Sequence, residues 1–389
     1  MDKVIYKELT IDKKQSELGG VKNRSTELDY MKGILIILVV LGHIHTPLSC
    51  WIYQFHIPVF FMISGFLWNT KHSNDIDSMK HYIIGKLKRL YIPFVLLNVV
   101  FILLNNFFLR IGFITDDPNF LDLTRSYLIA QTTSQHMDCL SMITGIANAL
   151  VFSAGYARLS GVTWFLSSLF MVCVGHLLWE YIITKLLKRN KIGRFVVLFF
   201  SLTLCLTFCI IIENYSIGLP GIIKRFFGCY AAYLCGVIFR ELDIIKFCNP
   251  KSGVIAFIVT VVLFLIPVNT SVELSKNIIG NPFFFLVLCC SGFVFCIELA
   301  RLLCSYKIKA FEICGKESMA IFLLHPISFK IVTYIYLLVF GRPMVLLAAY
   351  FALDGECLLL PLFYLLTGVF VPLACNRCYS DIKEKIKFL

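Results

Sequence analysis

Charged residues are scarce in this chain, 15% of 389 positions against a hydrophobic share of 58%. A soluble domain carries roughly 25% charged residues because its surface has to be wetted. The deficit therefore excludes a secreted globule, a disordered chain, a collagen and a coiled coil. Trp is also rare, 4 residues beside 36 Phe and 17 Tyr, an aromatic excess that lipid tolerates. No cleavable signal peptide is expected, because residues 1–30 mix charges of both signs where a signal needs a short basic stretch and then an apolar core. There is no internal repeat of the kind that builds a transporter from inverted halves. What remains, with a mean hydropathy of +0.81, is the composition of a polytopic membrane protein.

The 16 Cys would imply a disulfide framework only in a small secreted domain. Most lie inside apolar runs (Cys173, Cys205, Cys209, Cys289, Cys290, Cys296), where Cys behaves as a small hydrophobe. Cys375 and Cys378 form a single CxxC with no second pair, and are read as two thiols. No metal is expected.

A helix needs about 20 apolar residues to cross the hydrocarbon. About ten candidate spans lie near 33–48, 51–68, 91–109, 162–184, 195–212, 223–239, 253–268, 281–303, 318–339 and 345–372. The first is short and carries His43 and His45. The last is interrupted by Asp354 and Glu356, which suggests a bend or a later start. Alternation of the spans puts 28 of the 36 Lys and Arg on the side of both termini. Seven fall on the other side (Arg110, Arg125, Arg158, Lys224, Arg225, Lys276 and Arg342), and Lys330 sits within a span. That asymmetry is the positive-inside pattern. It predicts an all-α integral membrane protein, a bundle of about ten helices with both termini cytoplasmic. The net charge of +12 then serves orientation, and no nucleic-acid partner is expected. The connection at about 110–160 is long for a plain connector, and such loops usually line a site or are mobile.

Polar groups within apolar spans are costly and mark candidate sites. Lys32 and His43 are eleven residues apart, three turns plus about 20°, so they share one helix face with about 16 Å of rise between them. Asp29, one turn before Lys32, can pair with it. His56 stands in FHIPVFFMISG, where Pro58 frees backbone carbonyls and Ser64 and Gly65 allow close helix packing. Lys86, Lys88 and Arg89 precede Tyr91 and Pro93; Lys86 and Arg89 share a face and suit phosphates. His325 lies in GKESMAIFLLHPI, with Lys316 and Glu317 before it. Each has a plainer reading. A membrane His often makes only a helix–helix hydrogen bond, and a basic cluster often only orients the chain toward anionic lipid. Glu180 and Glu298, near span ends, are read as structural groups reaching the interface, and Trp51 and Trp164 as interfacial belt residues.

Taken in order, DYMKGILIILVVLGH, FHIPVFFMISGFLW, KLKRLYIPF, TWFLSSLF and GKESMAIFLLH resemble the integral-membrane acyltransferase family 3, which includes bacterial O-acetyltransferases of surface polysaccharides and lipid-linked glycans. The resemblance runs from about residue 25 to 335 and is carried by the ordered set rather than by any one block. It divides the chain into a cytoplasmic segment 1–30, a multi-span acyltransferase domain 31–373 and a cytoplasmic tail 374–389. It implies transfer of an acyl group, usually acetyl from acetyl-CoA as co-substrate, to a sugar hydroxyl in a bacterial inner membrane. The expected partners are acyl-CoA, a glycan or lipid-linked sugar acceptor, the bilayer, and other copies of the chain or glycan-assembly proteins.

The family's basic-residue-then-His pattern falls on Lys32 and His43, and its paired-arginine motif on Lys86 and Arg89. Lys stands at the first place of both, where the family more often has Arg, and Lys lacks a bidentate grip on phosphate. No fused hydrolase-like domain of the kind some members carry is expected, and the chain is expected to acylate its acceptor directly or to hand over to a separate protein. On this reading Lys86, Arg89 and Lys32 hold the donor phosphates, and the pantetheine arm points toward His43. His43 acts as general base or forms a transient acetyl-imidazole. His56 is expected to orient His43 or polarise the thioester carbonyl, and His325 to be a third catalytic residue or only to pack against the site. The rival classes are a flippase for a lipid-linked saccharide and a non-catalytic scaffold of a glycan-assembly complex.

Overall fold

The structure is a computed structural model describing residues 20–44, 46–117, 135–152, 158–186, 190–266, 272–349, 352–353 and 357–387. His45, Asp354 and Glu356, residues 1–19, and much of the connection at 110–160 lie outside the described residues. Apart from one isolated bridge between Glu273 and Ile278, the described residues are helical or irregular, and the fold is all-α.

The first helix, α1 (Gly20–Gly42), stops at His43. Thr46 then opens α2 (Pro47–Tyr53) with a reciprocal capping box to Ser49 and Pro47 at the first helical position, an arrangement that satisfies amides left without partners at a helix start. After a break at Gln54–Phe55, α3 (His56–Phe66) completes that span. Next come α4 (Ile76–Lys86), a π-helical turn at Leu87–Tyr91, α5 (Ile92–Leu103) and α6 (Asn105–Arg110). Beyond the long connection lie α7 (Cys139–Leu150), α8 (Trp164–Leu186), α9 (Lys191–Asn214), α10 (Gly221–Glu241), α11 (Pro250–Leu265) and α12 (Pro282–Ser305). The chain ends with α13 (Lys309–Lys316), α14 (Ser318–Val339), a 3-10 turn at Met344–Ala348, and α15 (Leu360–Lys387).

Among the described residues, 7 segments are long and apolar enough to cross a membrane: Pro47–Phe66, Leu159–Leu186, Ile192–Asn214, Gly221–Glu241, Pro282–Ser305, Ser318–Val339 and Leu360–Glu384. The other three expected spans take different forms. Glu27, Asp29 and Lys32 occupy the first half of α1. The stretch 91–109 is divided at Leu104 into α5 and α6. The stretch 253–268 is the 16-residue α11. The last expected span starts later than 345, at Leu360.

Glycine decides which helices meet. A Cβ at Gly33 would stand 1.9 Å from the Phe311 carbonyl oxygen, and one at Gly315 would stand 1.8 Å from that of Asp29. So α1 and α13 cross backbone to backbone. A second crossing joins α3 and α10, where a Cβ at Gly65 would lie 2.0 Å from the Tyr233 oxygen and one at Gly236 would lie 1.9 Å from the Met62 oxygen. In lipid, where apolar side chains gain nothing by leaving the solvent, such close approach supplies the packing and weak backbone contacts that hold helices together.

Buried charges tie the same bundle. Glu180 on α8 does not reach the interface as expected; it is fully buried and accepts hydrogen bonds from the Arg194 guanidinium of α9. Arg194 also pairs with Glu241 at 2.9 Å, so α8, α9 and α10 share one ion network. Glu298 pairs with Arg301 at 2.5 Å, and Arg301 reaches Glu27 of α1 at 3.4 Å. Each carboxylate has its cation, which is the condition for keeping a charge away from water.

Candidate active site

The α1–α13 crossing fixes the level of two histidines beyond it. His43 lies ten residues after Gly33, and His325 ten residues after Gly315. Both chains climb nearly continuous helix from that crossing, so equal spacing brings the two imidazoles to one level. His43 Nδ1 stands 3.0 Å from His325 Nε2, with ring centroids 5.0 Å apart.

The proton positions in this pair follow from their partners. His325 Nδ1 lies 3.0 Å from the carbonyl oxygens of both Ile321 and Phe322. Carbonyls only accept, so His325 Nδ1 carries a hydrogen. In a neutral imidazole the other nitrogen is then an acceptor, and His325 Nε2 accepts from His43 Nδ1–H. The lone pair of His43 falls on Nε2. A chain of two hydrogen bonds, anchored on the α14 backbone, thus selects one tautomer of His43. The Phe322 carbonyl is available because Pro326, four residues on, sits inside the helix and has no N–H to bond it.

Tyr53 connects the second histidine. Its ring meets His43 edge-on at 5.8 Å and His56 edge-on at 5.2 Å. His56 is buried, and its Nδ1 lies 2.6 Å from the Ile52 carbonyl oxygen, which makes that nitrogen a donor and Nε2 an acceptor in the neutral ring. The three histidines singled out in the sequence therefore belong to one cluster, but His325 touches His43 directly while His56 approaches it through Tyr53.

Below His43, the α1 face continues through Val39 and Ile36 to Lys32. These four positions fall within about 60° of one another around the helix. Ile36 and Val39 line an apolar cavity of about 60 Å³ together with Ile57 and Phe60 of α3, Phe165 and Leu166 of α8, and Ser318, Met319 and Phe322 of α14. Its walls come from four of the five sequence blocks that carried the resemblance. Lys32, half-buried, holds Asp29 at 3.3 Å at the far end of that face.

Lys86 and Arg89 approach from elsewhere. Lys86 ends α4 with its ammonium 5.1 Å above the Tyr82 ring, and Arg89 lies in the π-helical turn; both are half-buried. Tyr82 packs edge-on against Trp68, 5.3 Å away at the end of α3. That puts the pair at the Lys32 end of the bundle, opposite the histidines. Lys88 is exposed.

Several residues here carry no mark in the sequence. Tyr53 gave no signal, being one aromatic among many. Ile36 and Val39 lie on the face that Lys32 and His43 share, but only the structure shows that they line a cavity. His176 on α8 belongs to a different place: its Nδ1 lies 3.0 Å from the Tyr230 hydroxyl, and its ring meets Trp68 edge-on at 4.7 Å. Among the described residues, no group of His, Cys, Asp and Glu is placed to hold a metal ion.

Residues 25–375 match the family described as Acyltransferase domain. Over 62 residues the chain is 44% identical to nodulation protein NolL of Sinorhizobium fredii, a stretch that is 13% of this chain and 17% of that protein. Nodulation protein NolL of Mesorhizobium japonicum is 41% identical over 62 residues, with the same coverage. The matched stretch thus spans 17% of the length of these curated relatives. No solved structure matches the chain.

Proposed function

Because the chain belongs to the acyltransferase family matched over residues 25–375, we propose that it is a membrane-embedded O-acyltransferase moving an acetyl group from acetyl-CoA to a hydroxyl of a cell-surface or lipid-linked sugar, with His43 as the general base. The observation that carries the reading is the His43–His325 hydrogen bond, with an apolar cavity lined by Ile36 and Val39 on the stretch of α1 between His43 and Lys32.

The cavity is too narrow for a sugar and suits a thin, largely apolar arm. Lys32, Lys86 and Arg89 sit at the end where a phosphate-bearing donor would enter, which the excess of basic residues assigns to the cytoplasm. With the thioester drawn up to His43, Nε2 of His43 takes the proton of the acceptor hydroxyl as its oxygen bonds to the thioester carbon. Collapse of the tetrahedral adduct breaks the carbon–sulfur bond, and the imidazolium returns its proton to the departing CoA thiolate. His325 receives the Nδ1–H of His43 throughout, so the positive ring is stabilised where it forms. His56, whose Nδ1–H is already committed to Ile52, has no second N–H for a thioester carbonyl in its neutral form. It supports the site by packing Tyr53 against His43.

The test uses membranes containing the full chain, labelled acetyl-CoA, and decyl glycosides as acceptors in place of a lipid-linked sugar. Label should enter a glycoside with the intact chain and fall by about 10²–10⁴-fold in His43→Ala, the usual worth of a general base. Equal labelling in both would remove His43 from the chemistry. A glycoside that changes sides of the vesicle with its mass unaltered would instead identify a flippase.

A further inference from the structure

Lys330 is 1% exposed on α14, five residues beyond His325. An ammonium inside a membrane protein commonly pairs with a carboxylate. Here its three hydrogens meet main-chain oxygens, those of Phe113 at 3.0 Å, Leu347 at 2.7 Å and Ala349 at 2.5 Å. A carboxylate partner would tether a side chain, whereas carbonyl partners fix the path of the backbone itself. Leu347 and Ala349 belong to and follow the 3-10 turn at Met344–Ala348.

The same stretch is pinned again a few residues on. The Leu353 amide donates to the Tyr364 hydroxyl at 3.2 Å, and that hydroxyl shares a hydrogen bond of 2.9 Å with Thr333 of α14. The Ala352 amide donates to the main-chain oxygen of His43 itself at 3.3 Å. Leu346, Leu347, Ala348, Ala349, Ala352 and Leu353 are all buried. Ala352 therefore lies on the main chain of His43, past the end of α1 and so on the side away from the cavity that Ile36 and Val39 line. If the donor thioester comes up that cavity, the acceptor hydroxyl has to arrive from the side this segment occupies.

The geometry points to Lys330 and Tyr364 as positioning residues that hold residues 344–349 and 352–353 against His43 as the acceptor-side wall of the active site. This rests on the acyl-transfer reading above. Neither residue touches the reacting atoms. Lys330 supplies three hydrogen bonds and Tyr364 orders the amide next to the one on His43.

The test compares the full chain in vesicles with Tyr364→Phe, which removes one hydroxyl, and Lys330→Met, which removes the ammonium at similar length. The first readout is the rate at which diethyl pyrocarbonate modifies His43, followed by mass spectrometry. His176, fully buried on α8, is the internal control for the fold. Loosening the wall should speed modification of His43 by about fivefold in Tyr364→Phe and more in Lys330→Met, the equilibrium worth of one hydrogen bond or several, with His176 unchanged. The second readout is kinetic: the KM for decyl β-D-glucoside should rise by a similar factor, with the KM for acetyl-CoA unchanged. An unchanged His43 rate would overturn the proposal. So would a parallel rise at His43 and His176 in both variants, or equal rises in the two KM values. Failure of the unaltered chain to acetylate any glycoside would count against acyl transfer, while the labelling would still decide whether these residues hold the wall.

Discussion

The tautomer of His43 can be tested by changing only what accepts its Nδ1–H. His325→Leu removes the acceptor, and a buried N–H left without a partner costs about 1–3 kcal/mol. That cost falls on the one ring orientation and tautomer that present a lone pair at Nε2. Converted at about 1.4 kcal/mol per factor of ten, it corresponds to a loss in kcat of about 5- to 150-fold. His325→Gln is the matched control. Its carboxamide oxygen can stand near the position of imidazole Nε2 and accept from His43, although it gives up the anchor to the Ile321 and Phe322 carbonyls. The glutamine variant should therefore keep activity within about fivefold of the original, the worth of one ordinary hydrogen bond. The assay is the initial rate of label transfer from acetyl-CoA in vesicles with matched amounts of protein, and the donor KM should be unaltered in both variants. Equal impairment of the leucine and glutamine variants would refute the tautomer argument and leave His325 a packing residue. Full activity in the leucine variant would refute any role for it.

Three further outcomes are expected. Lys32→Ala should raise the acetyl-CoA KM by about 10- to 100-fold, the range for a lost hydrogen bond to a charged group, with a smaller fall in kcat; a loss confined to kcat would remove Lys32 from donor binding. Phe322→Trp should narrow the cavity between α1, α3, α8 and α14 and raise the acetyl-CoA KM by about tenfold or more while the acceptor KM stays put, overpacking of this kind costing about 1–3 kcal/mol; unchanged donor kinetics would show that the donor arm takes another path. Gly33→Ala should lower Tm in detergent by several degrees and reduce activity, since a methyl 1.9 Å from the Phe311 oxygen has to push α1 from α13 and carry His43 away from His325; an unaltered Tm would mean that the crossing is looser than the geometry shows.

The legible part of this protein was whatever depends on local periodicity or composition. Scarce charge and long apolar runs establish membrane helices because lipid offers the backbone no partners. The face shared by Lys32 and His43 was readable because a helix repeats its faces whatever surrounds it. The ordered blocks carried the family resemblance. Span limits were less legible, since the breaks at Gln54–Phe55 and Leu104 occur beside isolated polar residues (Gln54, Asn105, Asn106) that do not by themselves end a helix.

Tertiary structure alone decided partnership. From the sequence, His56 is the expected partner of His43 and His325 the least secure of the three, and it is the paired glycines, Gly33 with Gly315, that bring His325 rather than His56 into contact with His43. Nothing local marks those two glycines as partners, because a close crossing is a property of two backbones at once. Lys330 was visible only as a misplaced charge within a span. Its meaning comes from Phe113, Leu347 and Ala349, which lie on both sides of it in sequence and reach it only when the bundle is closed. The sequence by itself determined which helix faces carry polar groups. The packing of those faces determined which nitrogen of His43 is basic and what lies over it, because hydrogen bonds are set by distances between segments that the chain order does not encode.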